Sequence, residues 1–321
     1  MRTLLIAHDG SVARSTDFEA IDRVLAAAGT QLWLDIESPQ EADIAMLRDE
    51  FRFHPLAIED ATRASERPKV DMYSDYYSLA FYGARSAGES GDLELLPFHL
   101  FVGSNYLVTI HDQPMPLVGE SMARWELKNG PLPPKIGAAV HALLDTVVDE
   151  YFPLMDRIAD RVDELEDSLF TEFSPKSLET IFHLKKGLLN MRRVVAPERD
   201  VLNHLLRREL PVFSVEDVAY LQDVYDHLVR VTDSVDIYRD LLSNALDSFL
   251  SVQSNRLNEV VKVLTIASIV LMSNSLISGI YGMNFQYMPE IRWPLGYAWA
   301  LGLMFAISTS LILFFRWRKW L

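Results

Sequence analysis

Hydrophobic and polar positions follow two regimes along this chain. Residues 263–289 contain no charged side chain, and neither do residues 293–315. Each run meets the roughly 20 apolar residues that a bilayer-spanning helix needs, so two membrane spans are predicted. Only Glu290 and Arg292 carry charge between them, which predicts a short connection whose backbone is satisfied by a tight turn. Upstream, residues 31–36, 77–82, 98–102 and 105–111 are rich in aromatic and β-branched side chains and bounded by turn residues, the pattern of strands. Gly103-Ser104-Asn105 reads as a hairpin turn. Residues 41–51 and 55–64 have helical character. An α/β or α+β domain over 1–135 follows, closed by Pro131-Leu132-Pro133-Pro134.

After those prolines the period becomes helical. Residues 137–170 place Leu144, Val147, Val148, Tyr151 and Leu154 on one face and Asp145, Asp149, Asp156, Asp160, Asp163 and Asp167 on the other, with a kink predicted at Pro153. A second helix is predicted over 174–195, capped by Ser174 with Pro175 in its first turn and interrupted by Ala196-Pro197. A third begins near Ser214 and meets no breaker until Gly279, about 100 Å of helix at 1.5 Å per residue. The expected organisation is therefore a helical stalk at 136–257, a first span at 258–281 continuous with it, an outer loop at 282–292, a second span at 293–315 and a basic tail at 316–321. The apolar positions of the stalk are suited to packing on copies of itself or on the preceding helices.

Charge adds orientation and excludes partners. Arg256 and Lys262 precede the first span, and Arg316, Arg318 and Lys319 follow the second. The positive-inside bias puts both termini in the cytoplasm, as expected of a multi-pass protein of the cell's inner (plasma) membrane. The stretch 1–9 is too briefly apolar for a signal peptide. A formal net charge of -15 over 321 residues argues against nucleic acid and favours cations. Without Cys there are no thiolate ligands or thiol nucleophiles. The His residues show no HExxH spacing and no Gly-rich phosphate loop occurs, so no enzyme is predicted.

Two spans cannot wall a polar path from lipid, which implies self-association. On the first span Asn258, Val261, Thr265, Ser268, Met272, Ser275 and Gly279 share a stripe, read either as close helix packing or as a pore lining. At its end Gly282 allows close backbone approach or positive φ, and Asn284 offers a side-chain carbonyl. Copies of that turn around an axis make a ring of neutral oxygens suited to a hard, hydrated divalent cation. The Asp face at 145–167 reads as a solvated surface, with weak divalent attraction as the alternative.

Tyr281-Gly282-Met283-Asn284-Phe285 followed by Met288-Pro289-Glu290, placed before a final span, resembles the CorA family of magnesium transporters. Asn258-Glu259-Val260-Val261-Lys262-Val263-Leu264-Thr265 is similar to that family's pore-helix start. So are His54-Pro55-Leu56-Ala57-Ile58-Glu59-Asp60 with Arg67-Pro68-Lys69-Val70, and Asp223-Val224-Tyr225-Asp226-His227, to its soluble-domain and stalk motifs. Nearly the whole chain is covered except the first 25 residues or so.

The resemblance implies an α+β protein: an N-terminal α/β cytoplasmic domain, a long helical stalk and two C-terminal transmembrane helices, assembled as a funnel-shaped homopentamer in the lipid bilayer. It implies magnesium (Mg2+) uptake, with cobalt (Co2+) and nickel (Ni2+) as further ions, gated by cytoplasmic magnesium bound between subunits. Gly282, Met283 and Asn284 would gather the ion at the pore mouth. Asn258, Val261, Leu264, Met272 and Ser275 would line the pore, with Leu264 and Met272 as constrictions. Asp60 and Asp223 would hold regulatory metal, with Glu59 and His227 nearby. A zinc transporter of the same superfamily and a membrane-anchored metal-sensing scaffold are the alternatives. The chain departs from the family at Ser273-Asn274-Ser275, where a proline is usual. Asn274 falls off the pore stripe and is expected to bond a neighbouring helix.

Overall fold

The computed structural model describes residues 1–18, 21–63, 67–87, 92–127, 132–171, 175–207 and 212–320. The expected cap Ser174, Ala64 at the end of the predicted 55–64 helix and Pro131 of the proline cluster lie outside them. The chain forms two compact units, Met1–Ala245 and Leu246–Leu321.

The first unit is built on β1 (Arg2–His8), β2 (Ser11–Ser15), α1 (Ile21–Ala26), β3 (Gln31–Glu37), α2 (Glu41–Asp49), α3 (Pro55–Thr62), β4 (Lys69–Met72), β5 (Tyr76–Ala87), β6 (Asp92–Gly103) and β7 (Tyr106–His111). Its seven-stranded sheet runs β2-β1-β3-β7-β6-β5-β4. Only the central β3 and β7 pair in parallel; the other neighbours are antiparallel. Leu32, Trp33 and Leu34 are fully buried, as a central strand covered on both faces requires. On one face Phe53 stacks on Phe101 at 4.1 Å, amid a core that includes Leu4, Leu34, Leu47 and Ile110. Elsewhere Trp33 meets Trp125 of α4 (Pro116–Glu126) edge-on at 5.9 Å. The hairpin at Gly103-Ser104-Asn105 joins β6 to β7, with Val102 opposite Leu107. Strands β1, β2 and β4 and helices α1 and α4 were not visible in the pattern, and β5 and β6 run to Ala87 and from Asp92, beyond their predicted apolar cores.

Two helical predictions need correction. The helix expected over 137–170 is two, α5 (Ile136–Asp149) and α6 (Tyr151–Thr171). Pro153 has no N–H for the Asp149 carbonyl four residues earlier, so the ladder breaks there. Conversely, α7 (Pro175–Leu206) continues through Pro197 instead of ending at 195. Val194, Val195, Val201 and Leu202 are buried on both sides of the proline, and this packing outweighs the one lost hydrogen bond. Helix α8 (Val215–Tyr281) is started by Ser214, whose Oγ accepts from the Asp217 N–H at 3.2 Å while its own N–H donates to Asp217 Oδ2 at 2.7 Å, a reciprocal cap.

One junction ties sheet to helices. Pairing of β4 with β5 stops at Lys69 opposite Ala80, which leaves the next outward-facing backbone groups of β5 without a strand. Side chains take its place: the Tyr82 N–H donates to Glu198 Oε1 at 2.9 Å, and Tyr151 Oη lies 3.0 Å from the Tyr82 carbonyl. Buried backbone polar groups demand such partners.

The second unit holds the last turns of α8, a 3-10 turn at Pro289–Arg292 and α9 (Gly296–Trp317). Both helices are long and apolar enough to cross a membrane. Gly296 is obligatory, because a Cβ there would sit 2.1 Å from the Glu290 carbonyl oxygen.

Candidate functional site

Helix α8 ends where the Gly282 N–H reaches the Ser278 carbonyl at 2.9 Å and the Met283 N–H that of Ile280 at 3.2 Å. Gly282 serves this turn by close approach, since an added Cβ would lie 3.1 Å from the Ser278 oxygen; positive φ is not used there. Gly282, Met283 and Asn284 are all exposed. Among the described residues the Asn284 carboxamide has no hydrogen-bond partner in its own chain, so both its polar groups face outward.

The membrane half of α8 has two unlike faces. Asn258, Val261, Leu264, Met272 and Ser275 are all exposed, Leu264 at 66% and Met272 at 71%. Ile266 and Ile277 are buried, and between them Asn274 Nδ2 donates to Ser308 Oγ of α9 at 3.0 Å, with Asn274 Oδ1 3.3 Å from the same oxygen. The residue that departs from the family pattern therefore holds the two spans of one chain together, off the stripe, as its position on the wheel suggests.

In the first unit, the metal residues expected from the motifs fall into separate places. His54 caps α3, its Nδ1 accepting from the Leu56 N–H at 3.2 Å, and this orients the helix that carries Glu59 and Asp60. Glu59 pairs with Arg63 at 2.5 Å. Asp60 accepts from Lys69 Nζ at 2.7 Å, and Asp71 lies 3.4 Å from the same nitrogen. A cation arriving at Asp60 competes with Lys69. Asp223 lies one turn from His227, 3.8 Å from its Nε2.

The structure adds two residues that the pattern did not single out as ligands. Asp145, Asp149 and His227 converge, one ligand atom from each lying within 4.8 Å of the others. His227 Nδ1 is 3.3 Å from Asp149 Oδ1, yet it is buried and outside hydrogen-bond geometry, the kind of orphaned atom that a bound ion satisfies. Phe152 packs edge-on against the imidazole at 5.5 Å, and the Arg230 guanidinium lies 5.3 Å from the centre of the Phe152 ring. Asp145 departs from the expected solvated face, being largely buried and held by both terminal nitrogens of Arg124 at 3.0 and 3.1 Å, whereas Asp149 is exposed as that reading expects. Their i, i+4 spacing was the available signal, and burial was what the spacing could not report. Burial, then the neighbouring Asp145 charge, pushes the Asp149 carboxyl up, with His227 partly offsetting them. Two carboxylates and an imidazole suit a borderline cation such as cobalt or nickel through nitrogen, whereas magnesium favours the oxygens alone.

An α/β body, a 67-residue helix that carries an exposed stripe to a Gly-Met-Asn turn, and a second apolar helix define an integral membrane protein that handles cations. The family profile described as CorA-like Mg2+ transporter protein matches residues 29–319. The chain belongs to this family, and is a divalent metal-ion transporter, not an enzyme. It is 32% identical over 310 residues to the cobalt/magnesium transport protein CorA of Thermotoga maritima, covering 96% of this chain and 88% of that one. With the YfjQ protein of Bacillus subtilis it shares 35% identity over 305 residues, 94% of this chain and 93% of that one. The fold matches the complete structure of the CorA magnesium transporter from Methanocaldococcus jannaschii with a TM-score of 0.86 at 22% identity, covering 100% of this chain and 99% of that one.

Proposed function

We propose that this protein is a homopentameric channel of the inner membrane that admits magnesium, and cobalt as a second ion, into the cytoplasm, where both its termini lie. The observation that carries this reading is the pair of faces on α8: one is tied to α9 through Asn274 and Ser308, while the other exposes Asn258, Val261, Leu264, Met272 and Ser275. Five such faces around an axis make a path whose mouth is ringed by Gly282, Met283 and Asn284. Their neutral oxygens hold the hydration shell of an ion that gives up water reluctantly. Leu264 and Met272 narrow the path by apolar constriction. The membrane potential supplies the drive: a divalent ion gains about 4.6 kcal/mol through 100 mV, twice the per-charge value.

Cytoplasmic magnesium closes this channel in the same reading. Asp60 and Glu59 of one subunit face Asp223 and His227 of the next, and Asp145 and Asp149 add negative potential beside them. A bound cation offsets the repulsion between these acidic faces and holds the ring symmetric.

The test is uptake by the purified full chain in liposomes under an inside-negative potential, compared across magnesium, cobalt, nickel and zinc, with mass measurement of the detergent-solubilised oligomer. Magnesium uptake by a pentamer is expected. Zinc uptake without magnesium uptake selects the zinc-transporting branch. Absence of all flux from a well-formed oligomer selects a metal-sensing scaffold.

A further inference from the structure

We propose that Glu198 is a resident proton-binding site: a neutral carboxylic acid inside the first unit whose single proton closes a ring of hydrogen bonds that joins α6 and α7 to the free end of β5. Glu198 and Tyr151 are both fully buried. Tyr151 Oη lies 2.9 Å from Glu198 Oε2 and 3.0 Å from the Tyr82 carbonyl oxygen, yet a phenol has one proton to donate. With an ionised carboxylate, two acceptors at hydrogen-bond distance, Glu198 Oε2 and the Tyr82 carbonyl oxygen, compete for that one proton. With a protonated one every group is satisfied. Oε2–H donates to Tyr151 Oη, the Tyr151 hydroxyl donates to the Tyr82 carbonyl, and the Tyr82 N–H donates to Oε1 at 2.9 Å.

The surroundings point the same way. The titratable group facing Glu198 from α6 is Tyr151, and β5 presents the Tyr82 main chain; among the described residues, burial and these two hydrogen bonds are what act on the carboxyl, with no charged side chain beside them. Arg67, Arg192 and Arg193 line a groove that also touches Tyr82 and Pro197, but all three are exposed, and Arg192 is engaged by Asp236 at 2.7 Å. A buried carboxylate without a cation is costly and takes a proton instead. Burial pushes the carboxyl up to about 8, against the smaller opposing pull of the Tyr82 and Tyr151 hydrogen bonds. The folded state therefore binds more protons than the unfolded state between the ordinary carboxyl range and about 8. Within that window stability falls as pH rises, by up to about tenfold in the folding constant per pH unit, and above it the dependence on this group ends.

The experiment is infrared difference spectroscopy of the full-length protein in detergent, titrated from acid to alkaline pH, with Glu198→Gln beside the wild type. The Gln amide reproduces the ring, donating to Tyr151 and accepting from Tyr82, without a removable proton. Expected are a protonated-carboxyl carbonyl band in the wild type that persists at neutral pH, is lost near pH 8 and is missing from Glu198→Gln. The melting temperature of the wild type should also fall relative to Glu198→Gln from mildly acid pH up to that point and run parallel beyond it. Identical bands, or melting curves that keep a constant offset throughout, overturn the proposal. Should Glu198→Gln not fold, Tyr151→Phe decides: a shift of the neutral-pH band supports donation from Glu198 to Tyr151, and an unmoved or absent band overturns it.

Discussion

The two units treat polar groups in opposite ways. In Met1–Ala245 even an acid as deep as Glu198 finds Tyr151 and Tyr82, and Trp33 Nε1 donates to Thr109, whose hydroxyl reaches Asp35 at 2.5 Å. In Leu246–Leu321 Asn274 and Ser308 satisfy each other and Ser273 turns back on the Ile269 carbonyl, while Asn258, Ser275 and Asn284 stand exposed beside large apolar side chains. The first unit completes its core within one chain. The second exposes surface that water would penalise, and becomes reasonable only with lipid on some faces and other copies on others. A single chain of this protein thus folds a domain but supplies only one part of a membrane structure.

The largest effect that tests this contrast is at the pore mouth. Asn284→Ala should reduce magnesium flux in liposomes by at least about tenfold while the oligomer survives, because in the proposed channel that amide holds the ion's hydration shell and has no partner among the described residues of its own chain. Wild-type flux would remove Asn284 from the path. Next comes a pair of truncations matched in kind. Phe53→Ala, at the stacked centre of the sheet core, should cost roughly 3–5 kcal/mol of stability, whereas Met272→Ala should cost less than about 1 kcal/mol and change conductance instead. Equal thermal losses for the two would mean that the Met272 face is packed in the assembly and not open to ions.

A smaller change is expected at the seam of the spans. Asn274→Leu should remove about 0.5–2 kcal/mol, read as a lower melting temperature of the detergent-solubilised protein, with the magnesium-to-cobalt flux ratio unchanged. A shifted ratio with unaltered stability would place Asn274 on the ion path. The subtlest test is at Asp145, Asp149 and His227. Because the Asp149 carboxyl is pushed up, it holds its proton to higher pH than an ordinary aspartate. Protons therefore compete with metal from a higher pH downward, and cobalt binding followed by calorimetry should weaken as pH falls through the mildly acid range. Asp149→Asn should both lower the affinity and flatten that dependence. Binding independent of pH in the unsubstituted chain would show that the ion sits elsewhere.

These contrasts also separate what could be read in advance. The charge-free runs and the Gly-Met-Asn turn were legible because a bilayer imposes a length and a composition on each span, and a tight turn imposes its residue types, all of which are local constraints. The central strands β3 and β7 were equally plain, since burial on both faces leaves an unbroken apolar run. Strands β2 and β4 escaped because, at the two edges of the sheet, they are only partly buried and leave no apolar run. Pro153 and Pro197 show the limit best. Both are prolines inside helical patterns, and by themselves both predict an interruption. The missing N–H of Pro153 breaks the ladder after Asp149, and only the tertiary packing of Val194, Val195, Val201 and Leu202 lets α7 carry on through Pro197. The same holds for the acids. Sequence alone determined that Asp145 and Asp149 share a helix face and that Glu198 sits just after a proline. Arg124, His227 and Tyr151, brought in from other helices, decided which of those carboxyls is paired, which faces a histidine and which keeps its proton, because desolvation and hydrogen bonding depend on neighbours in space and not along the chain.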